Sequence, residues 1–352
     1  MKKSLLALAT LTAFAGVASA QSSVTLFGIV DLAAVGVKNG SQSQKLLASN
    51  QLNSNRLGFR GTEDLGGGMR AGFWLEGAMN NDDGTGSATG GGQNWQRRST
   101  VSLMGGFGEV RLGRDYTPSF WNYTIFDPFG TNGPGSMLNV VSTLGSGATT
   151  LVRANNTIGY FLPSMGGVYG QVQVAAGEGV PGNKYVGGRF GYAGGPLNVA
   201  VAYGKTYHAD GLLDQYKDFN VGASFNLGFM NLIGQYSKRD YLTRDQKTAL
   251  IAATVPIGAH TLKASFVKSS GNQGLGTPFA AAADYDAKQF AFGYQYDLSK
   301  RTALYATYSS LNNDGPATGA NAGSRFTIGS GLAMTRGGDT SRGYALGVRH
   351  AF

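Results

Sequence analysis

The chain contains no cysteine. Disulfides, thiolate metal sites and a cysteine nucleophile are therefore excluded. Its three histidines, His208, His260 and His350, lie far apart and lack the short spacing of a metal site. No metal or cofactor is expected. Charged residues make up 14% of the chain, against roughly 25% in ordinary soluble domains. Proline is scarce at nine residues. Beyond the first twenty positions no apolar run reaches the ~18 residues a membrane-crossing helix needs. What the chain has in excess is glycine, 56 of 352 residues. That is roughly twice the usual share, without the three-residue period of collagen.

Residues 1–20 have the layout of a secretory leader. Lys2 and Lys3 form a basic start, an apolar stretch follows over 5–17, and Ala18-Ser19-Ala20 is a small-x-small cleavage site. The expected mature chain is 21–352, with 27 basic against 20 acidic residues and a net charge of +7.

The rest of the chain keeps one rhythm. Along 288–296, Phe290, Phe292, Tyr294 and Tyr296 share one face, while Gln289, Ala291, Gly293 and Gln295 share the other. A period of two is the mark of a strand with two different surroundings. Sixteen such segments are expected, at 23–37, 56–64, 69–77, 97–104, 109–115, 156–162, 168–177, 185–193, 197–205, 216–225, 229–239, 246–255, 260–269, 287–296, 301–309 and 341–352. Their connections alternate. Seven are tight and rich in turn residues, such as Leu65-Gly66-Gly67-Gly68, and most of the other eight are longer and polar. An even number of antiparallel strands with short turns at one end and long loops at the other is the organisation of an outer-membrane barrel.

A closed barrel pairs every backbone group without water, which an apolar bilayer demands. Charge then assigns the faces. An arginine facing lipid at mid-bilayer costs ~2–4 kcal/mol, so strand arginines must point inward. Alternation places Arg56, Arg60, Arg70, Arg98, Arg111, Arg189, Lys263 and Arg349 inside, with Asp31, Asp64, Glu76, Glu109 and Asp218. The lumen is thereby polar, hydrated and biased positive.

The last segment alternates to its end through Tyr344, Leu346, Val348, His350 and Phe352. A terminal aromatic on such a strand resembles the signal by which the outer-membrane assembly machinery selects its clients. Further stretches are diagnostic in combination: SSVTLFGIVD, RLGFRGTEDLGGGMRAGFWLE, GGFGEVRLGR and GVRHAF. Together they resemble the general diffusion porins of beta-proteobacteria, of the Burkholderia, Bordetella and Neisseria type. The resemblance spans the mature chain. It implies a 16-stranded antiparallel transmembrane β-barrel in the outer membrane, reached through the periplasm. It also implies a homotrimer, with the small residues Gly28, Ala33 and Ala34 of the first strand at the contact, and a third long loop folded into the pore.

The third and longest of the long connections spans roughly 116–155 and includes FDPFGTNGPG. Loops beyond ~12–15 residues are usually functional or disordered. The resemblance implies that this one forms the constriction. A cationic wall raises the local anion concentration, and the wall candidates are Arg56, Arg60, Arg98 and Arg111. Similarity to the family suggests Arg97, where alternation favours Arg98; a bulge would reconcile them. Arg153 also matches a family constriction position. Asp115 and Asp127 are the acids expected there. Two departures from the family pattern bear on selectivity. The loop has Asp127 as its one acid, which favours anions, and Gly159 stands where relatives are often basic, which opposes them slightly.

The expected function is passive passage of small hydrophilic solutes and ions, with an anion preference. Alternatives are a substrate-specific channel and a loop-based adhesin. Saturable conductance with one solute would mark the first, and absence of open-pore steps the second. No serine lies in a persuasive motif with a histidine, so an enzyme is not expected. The cations are dispersed rather than clustered, so neither is a nucleic-acid partner.

Overall fold

The computed structural model describes residues 23–180, 182–207, 215–272, 286–316, 325–329 and 332–352. The expected leader lies outside them. In chain order the first strands are β1 (Ser23–Asn39), β2 (Gln42–Ser49), β3 (Arg56–Gly66) and β4 (Met69–Gly77). A two-residue ladder of β5 (Met79–Asn80) and β6 (Thr85–Gly86) precedes β7 (Arg98–Gly105) and β8 (Gly108–Tyr116). The third long loop holds helix α1 (Pro118–Ile125) and a short 3-10 turn, Met137–Val140. Then come β9 (Arg153–Phe161), β10 (Val168–Ala175), β11 (Lys184–Gly194), β12 (Leu197–Tyr207), β13 (Tyr216–Asn226) and β14 (Asn231–Tyr241). The chain closes with β15 (Arg244–Ile257), β16 (His260–Asn272), β17 (Ala287–Asp297), β18 (Thr302–Asn313) and β19 (Thr340–Ala351).

Successive strands of the wall pair antiparallel, β4 joining β7 past the separate β5–β6 ladder, and β19 returns to β1, with Ile29 opposite Ala351 and Asn39 opposite Ser341. Gly28 N donates to Phe352 O at 3.0 Å and Phe352 N to Gly28 O at 3.1 Å, extending the seam to the last residue. The sheet has 17 segments but 16 places in the wall, because β2 and β3 share one. β2 pairs with residues 32–39 of β1, and β3 with residues 23–29.

The stretch between β2 and β3 breaks for a local reason. Asp31 is buried and accepts the amides of Gln51, Leu52 and Asn53 at 3.1, 3.0 and 2.7 Å, and the Tyr305 hydroxyl at 2.6 Å. Asn55 Oδ1 in turn accepts the Asp31 amide at 2.6 Å. These amides are lost to the ladder, and residues 50–55 fold inward. Alternation alone predicts a loop over 38–55. β2 lacks a clean period, with Leu46 and Leu47 adjacent among polar residues, so its pairing comes from β1 rather than from its own pattern.

All seven tight turns sit where expected, and Gly66, Gly67 and Gly68 each take positive φ. Two of the loop-end connections, Gly40-Ser41 and Leu242-Thr243, are also only two residues long.

The outward faces are apolar and exposed: Val24, Leu26, Val101, Ile158, Val172, Phe190, Ile251, Phe292 and Leu346 are each more than half exposed. Burial is thus inverted relative to a soluble protein, and most of the sequestered side chains lie within the cylinder. Asn220, Gln246, Gln289, Ser237 and Ser309 are fully buried there, beside Phe120, Tyr123, Phe126, Met137 and Val140 of the third loop.

Candidate functional site

Five neighbouring strands, β3, β4, β7, β8 and β9, build one wall of the lumen. The wall has two acidic nodes. At the first, Glu76 Oε1 lies 2.6 Å from Arg97 Nε and 3.4 Å from an Arg56 guanidinium nitrogen. Trp74 Nε1 donates to the other Glu76 oxygen at 3.0 Å. At the second, Asp115 Oδ2 lies 2.5 Å from Arg111 and 3.9 Å from Arg98 Nε. Arg111 also pairs with Glu109 at 2.8 Å. Ring faces hold the remaining guanidinium groups. Arg98 sits 4.5 Å over Trp74, Arg60 lies 5.1 Å from the same ring, and Arg111 lies 4.0 Å from Phe161. Stacking and bidentate pairing suit arginine's flat fork better than a lysine ammonium.

Tyr116 joins this wall to the loop. Its hydroxyl accepts from Arg97 at 3.1 Å, and Arg153 lies 4.2 Å over its ring. Arg153 Nε also donates to the Arg97 carbonyl at 2.7 Å. On the loop side Phe120 stacks on Tyr116 at 5.0 Å and Trp121 meets it edge-on at 5.2 Å.

The sequence-selected arginines are thereby gathered together. Arg97 and Arg98 both point inward. The Arg97 amide donates to the Glu76 carbonyl at 3.0 Å while the register sets Arg98 opposite Glu76. Two consecutive residues answer one, which is a β-bulge. A second irregularity lies between Gly113 and Asp115, opposite Ala154 and Thr157, and re-aims Asp115 and Arg153. Gly159 is inward and aligned with Arg111. Arg60 is exposed to the lumen, while Arg97 is nearly buried. Six arginines face three carboxylates, so the wall stays positive.

The third loop lies against the other side. Helix α1 begins at Pro118, whose fixed φ suits a first turn, and ends before Asp127-Pro128. It packs on β11, β12 and β13. Asn122 donates to the Ala200 carbonyl at 3.3 Å, and Asn220 donates to the Ser119 carbonyl at 3.1 Å. The Tyr123 hydroxyl donates to Asp218 at 2.7 Å and accepts from Arg239. Farther along, Gln289 donates to the carbonyls of Gly135 and Ser136 at 3.2 and 3.0 Å, and Gln246 to that of Val140 at 2.8 Å. The tip reaches the strand break, where Ser54 Oγ donates to Asn132 Oδ1 at 2.7 Å. The loop thus runs inside the cylinder from β9 to the broken strand, and its expected inward fold is observed.

Asp127 corrects the sequence reading. It is 4% exposed and does not reach the pore. Its oxygens accept the amides of Phe129, Thr131 and Met137 at 2.9, 3.1 and 3.0 Å. It is a fastener for the loop's own turn, and burial pushes its carboxyl up to about 6 despite those amides. Asp115 is also buried, at 1%, beneath the arginines it pairs with. Ala33 corrects the contact expectation, since it is 1% exposed within an inner cluster with Val35, Val37 and Tyr305. Ala34 does face outward, and Gly28 lies under the Phe352 ring. Sequence reasoning did not single out Tyr116 or the Glu76 node. Alternation had placed Glu76 inside, but only the register sets it beside two arginines.

Comparison with known proteins decides the family. A family model described as Gram-negative porin matches residues 7–316. The chain belongs to the Gram-negative porins. Outer membrane porin protein 32 of Delftia acidovorans is 39% identical to it, with 100% of both chains covered. An outer membrane porin protein of Bordetella pertussis is 28% identical, covering 89% of this chain and 95% of the relative. Among solved structures, an anion-selective porin from Comamonas acidovorans matches with a TM-score of 0.81 at 34% identity, over 94% of this chain and all of that one. This porin is accordingly an outer-membrane barrel around a water-filled channel for passive diffusion of ions and small hydrophilic solutes.

Proposed function

We propose that the constriction of this porin lies between the arginine wall and the third loop, and that it favours anions. One observation carries the reading: six arginines, Arg56, Arg60, Arg97, Arg98, Arg111 and Arg153, against the three carboxylates Glu76, Glu109 and Asp115. The loop adds no opposing acid, since Asp127 is turned into its own backbone. A low-dielectric wall of one sign concentrates counter-ions along the path. The match to a porin described as anion-selective supports the same preference. The measurement is the reversal potential across a bilayer with asymmetric potassium chloride. The chloride-selective sign is expected, and a potassium-selective sign refutes the reading.

A homotrimer belongs to this reading. The outward faces of β1, β4 and β7 present exposed apolar side chains, Val24, Leu26, Phe73, Val101 and Leu103, and Lys38 at the loop end of β1 is the one lysine on these three strands. Gel mobility of unheated against boiled protein tests it, with a collapse from about three protomer masses to one expected. Recognition by the barrel-assembly machinery would use Tyr344, Leu346, Val348, His350 and Phe352. These share the outward face of β19, and all are exposed. Phe352→Ser should lower the amount of folded protein in the outer membrane without altering the conductance of the barrels that form. Undiminished assembly would remove that role.

A further inference from the structure

A second cationic place lies on the inner wall, beside the start of helix α1. Here β10 and β11 present Tyr169, Gln171 and Arg189 to the lumen, and the register sets Gln171 directly opposite Arg189. On its other side Arg189 is opposite Ala202, which adds only a methyl group. Trp121, in the first turn of the helix, brings its ring to 5.8 Å from the Arg189 guanidinium. The Tyr169 ring lies 5.0 Å from the same group. Gly191 makes room for that ring, since a Cβ there would stand 2.5 Å from a ring carbon. The Tyr169 hydroxyl donates to Asn198 Oδ1 at 2.7 Å and fixes the ring.

The group is built of donors. Arg189 Nε and Nη1, Gln171 Nε2 and Trp121 Nε1 are all buried, and none has an acceptor among the described residues. Gln171 as a whole is only 4% exposed, whereas Arg189 is open to the lumen on one side. The carboxylates of this region serve other arginines. Glu109 holds Arg111 at 2.8 Å, and Asp218 faces Arg239 at 3.9 Å. An unmatched acceptor, Gln173 Oε1, stands two residues along β10, and its amide nitrogen is tied to the Tyr116 carbonyl at 3.3 Å. Leaving a buried donor without an acceptor is costly. Three residues from two strands and the loop share that need beside one cation. Such a set is complementary to an anion with oxygen acceptors.

The rings narrow the class of anion. Phe161, on which Arg111 lies at 4.0 Å, is opposite Gln171, so three aromatic side chains surround the donors. Phe161 also makes the place continuous with the arginine wall.

We infer that Arg189, Gln171 and Trp121 form a binding site for a small aromatic carboxylate inside the pore. The carboxylate oxygens accept from the guanidinium, the amide and the indole N–H. The solute's ring lies among Phe161, Tyr169 and Trp121, whose faces and edges suit a flat apolar body. Chloride has neither two oxygens to span the donors nor a ring to lie against the aromatics. The site goes beyond the anion preference proposed above, because it concerns retention of one class of solute and not the sign of the permeant ion.

The test is single-channel recording of the full-length porin in a planar bilayer with potassium chloride. Sodium benzoate is added at rising concentration and brief closures are counted. Wild type should show closures whose occupancy saturates. Acetate, which lacks a ring, should close the channel at least about fivefold less often at equal concentration. Benzamide, with the ring and no charge, should close it no more than buffer does. In Arg189→Gln the association constant for benzoate should fall at least about tenfold. Gln171→Leu, which changes no charge, should lower it about three- to tenfold. Heat-modifiable gel mobility reports the folding of each variant. Absence of closures in wild type would show that the donors meet only water, and overturns the site. Closures undiminished in both variants place benzoate elsewhere and overturn it too. Equal closure by acetate overturns the aromatic assignment. A potassium-selective reversal potential refutes the preference of the arginine wall and leaves the closure counts to decide this site.

Discussion

The two inner walls of this porin solve different problems with similar backbone. The wall of β3, β4 and β7–β9 carries arginines in a ladder, held apart by Glu76, Asp115 and Glu109 and by the faces of Trp74, Tyr116 and Phe161. The wall of β11–β17 carries amides, hydroxyls and small side chains, and these bind a loop. One wall leaves its charge facing water, and the other spends its polarity on a second layer of protein. A barrel strand does not by itself make a pore surface. It becomes one only where no other backbone segment occupies its inner face.

Charge reversal of the first wall should give the largest effect. Arg60→Glu with Arg98→Glu moves two of six positive groups to negative, leaving four positive against five negative. The anion-to-cation permeability ratio should fall by roughly tenfold or more and change sign in a salt-gradient reversal potential. An unchanged ratio would mean that ions do not pass this wall.

A split between two arginines sharpens the contrast within the wall. Arg60 is exposed and unpaired by any acid among the described residues, whereas Arg97 is buried on Glu76. Arg60→Gln should weaken selectivity and leave thermal stability within about 0.5 kcal/mol. Arg97→Gln should cost about 3 kcal/mol, because it leaves a buried carboxylate with Arg56, at 3.4 Å, as its one remaining cation. Equal melting behaviour of the two variants in detergent would contradict the assignment.

On the loop wall, Gly222 is where the Phe126 ring approaches the strand. A Cβ there would stand 2.1 Å from a ring carbon. Gly222→Ala should lift the loop at a cost of about 1–3 kcal/mol. Protease cleavage within 117–152 should accelerate and current noise should rise, while reversal potential shifts little. A silent variant would show that the helix is not seated on β13.

The smallest effect concerns pH. The Asp127 carboxyl is raised from 3.8 to about 6, chiefly by burial, with Lys263 the cation facing it. A folded-state pKa above the unfolded value holds the loop best in acid. That contribution is full below about pH 4, declines between about 4 and 6, and is gone above. Amide exchange of Phe129, Thr131 and Met137, corrected for intrinsic rate, should therefore be slower at pH 4 than at pH 7. Protection that rises with pH would reverse the sign.

Much of the barrel was legible because its two faces meet different solvents. Alternation such as Phe290, Phe292 and Tyr294 against Gln289, Ala291 and Gly293 can satisfy lipid and water only as a strand, and Gly66-Gly67-Gly68 can only turn. β2 was hidden, because its pattern is weak and its partner supplies the pairing. The arginines of the wall were legible one at a time, through the cost of turning them to lipid. Their arrangement was not. Whether Arg97 or Arg98 faced inward depended on a bulge, and a bulge is a property of two strands together.

Sequence alone therefore determined what each strand presents to lipid and to water, how many strands close the cylinder, and that its interior is positive. Those are consequences of local chemistry repeated along the chain. Tertiary structure alone decided that Asp127 fastens the loop rather than facing the pore, and that Asp31 breaks a strand to give the loop tip a seat. Each of these depends on residues distant in sequence meeting at one place, and only the closed register brings them there.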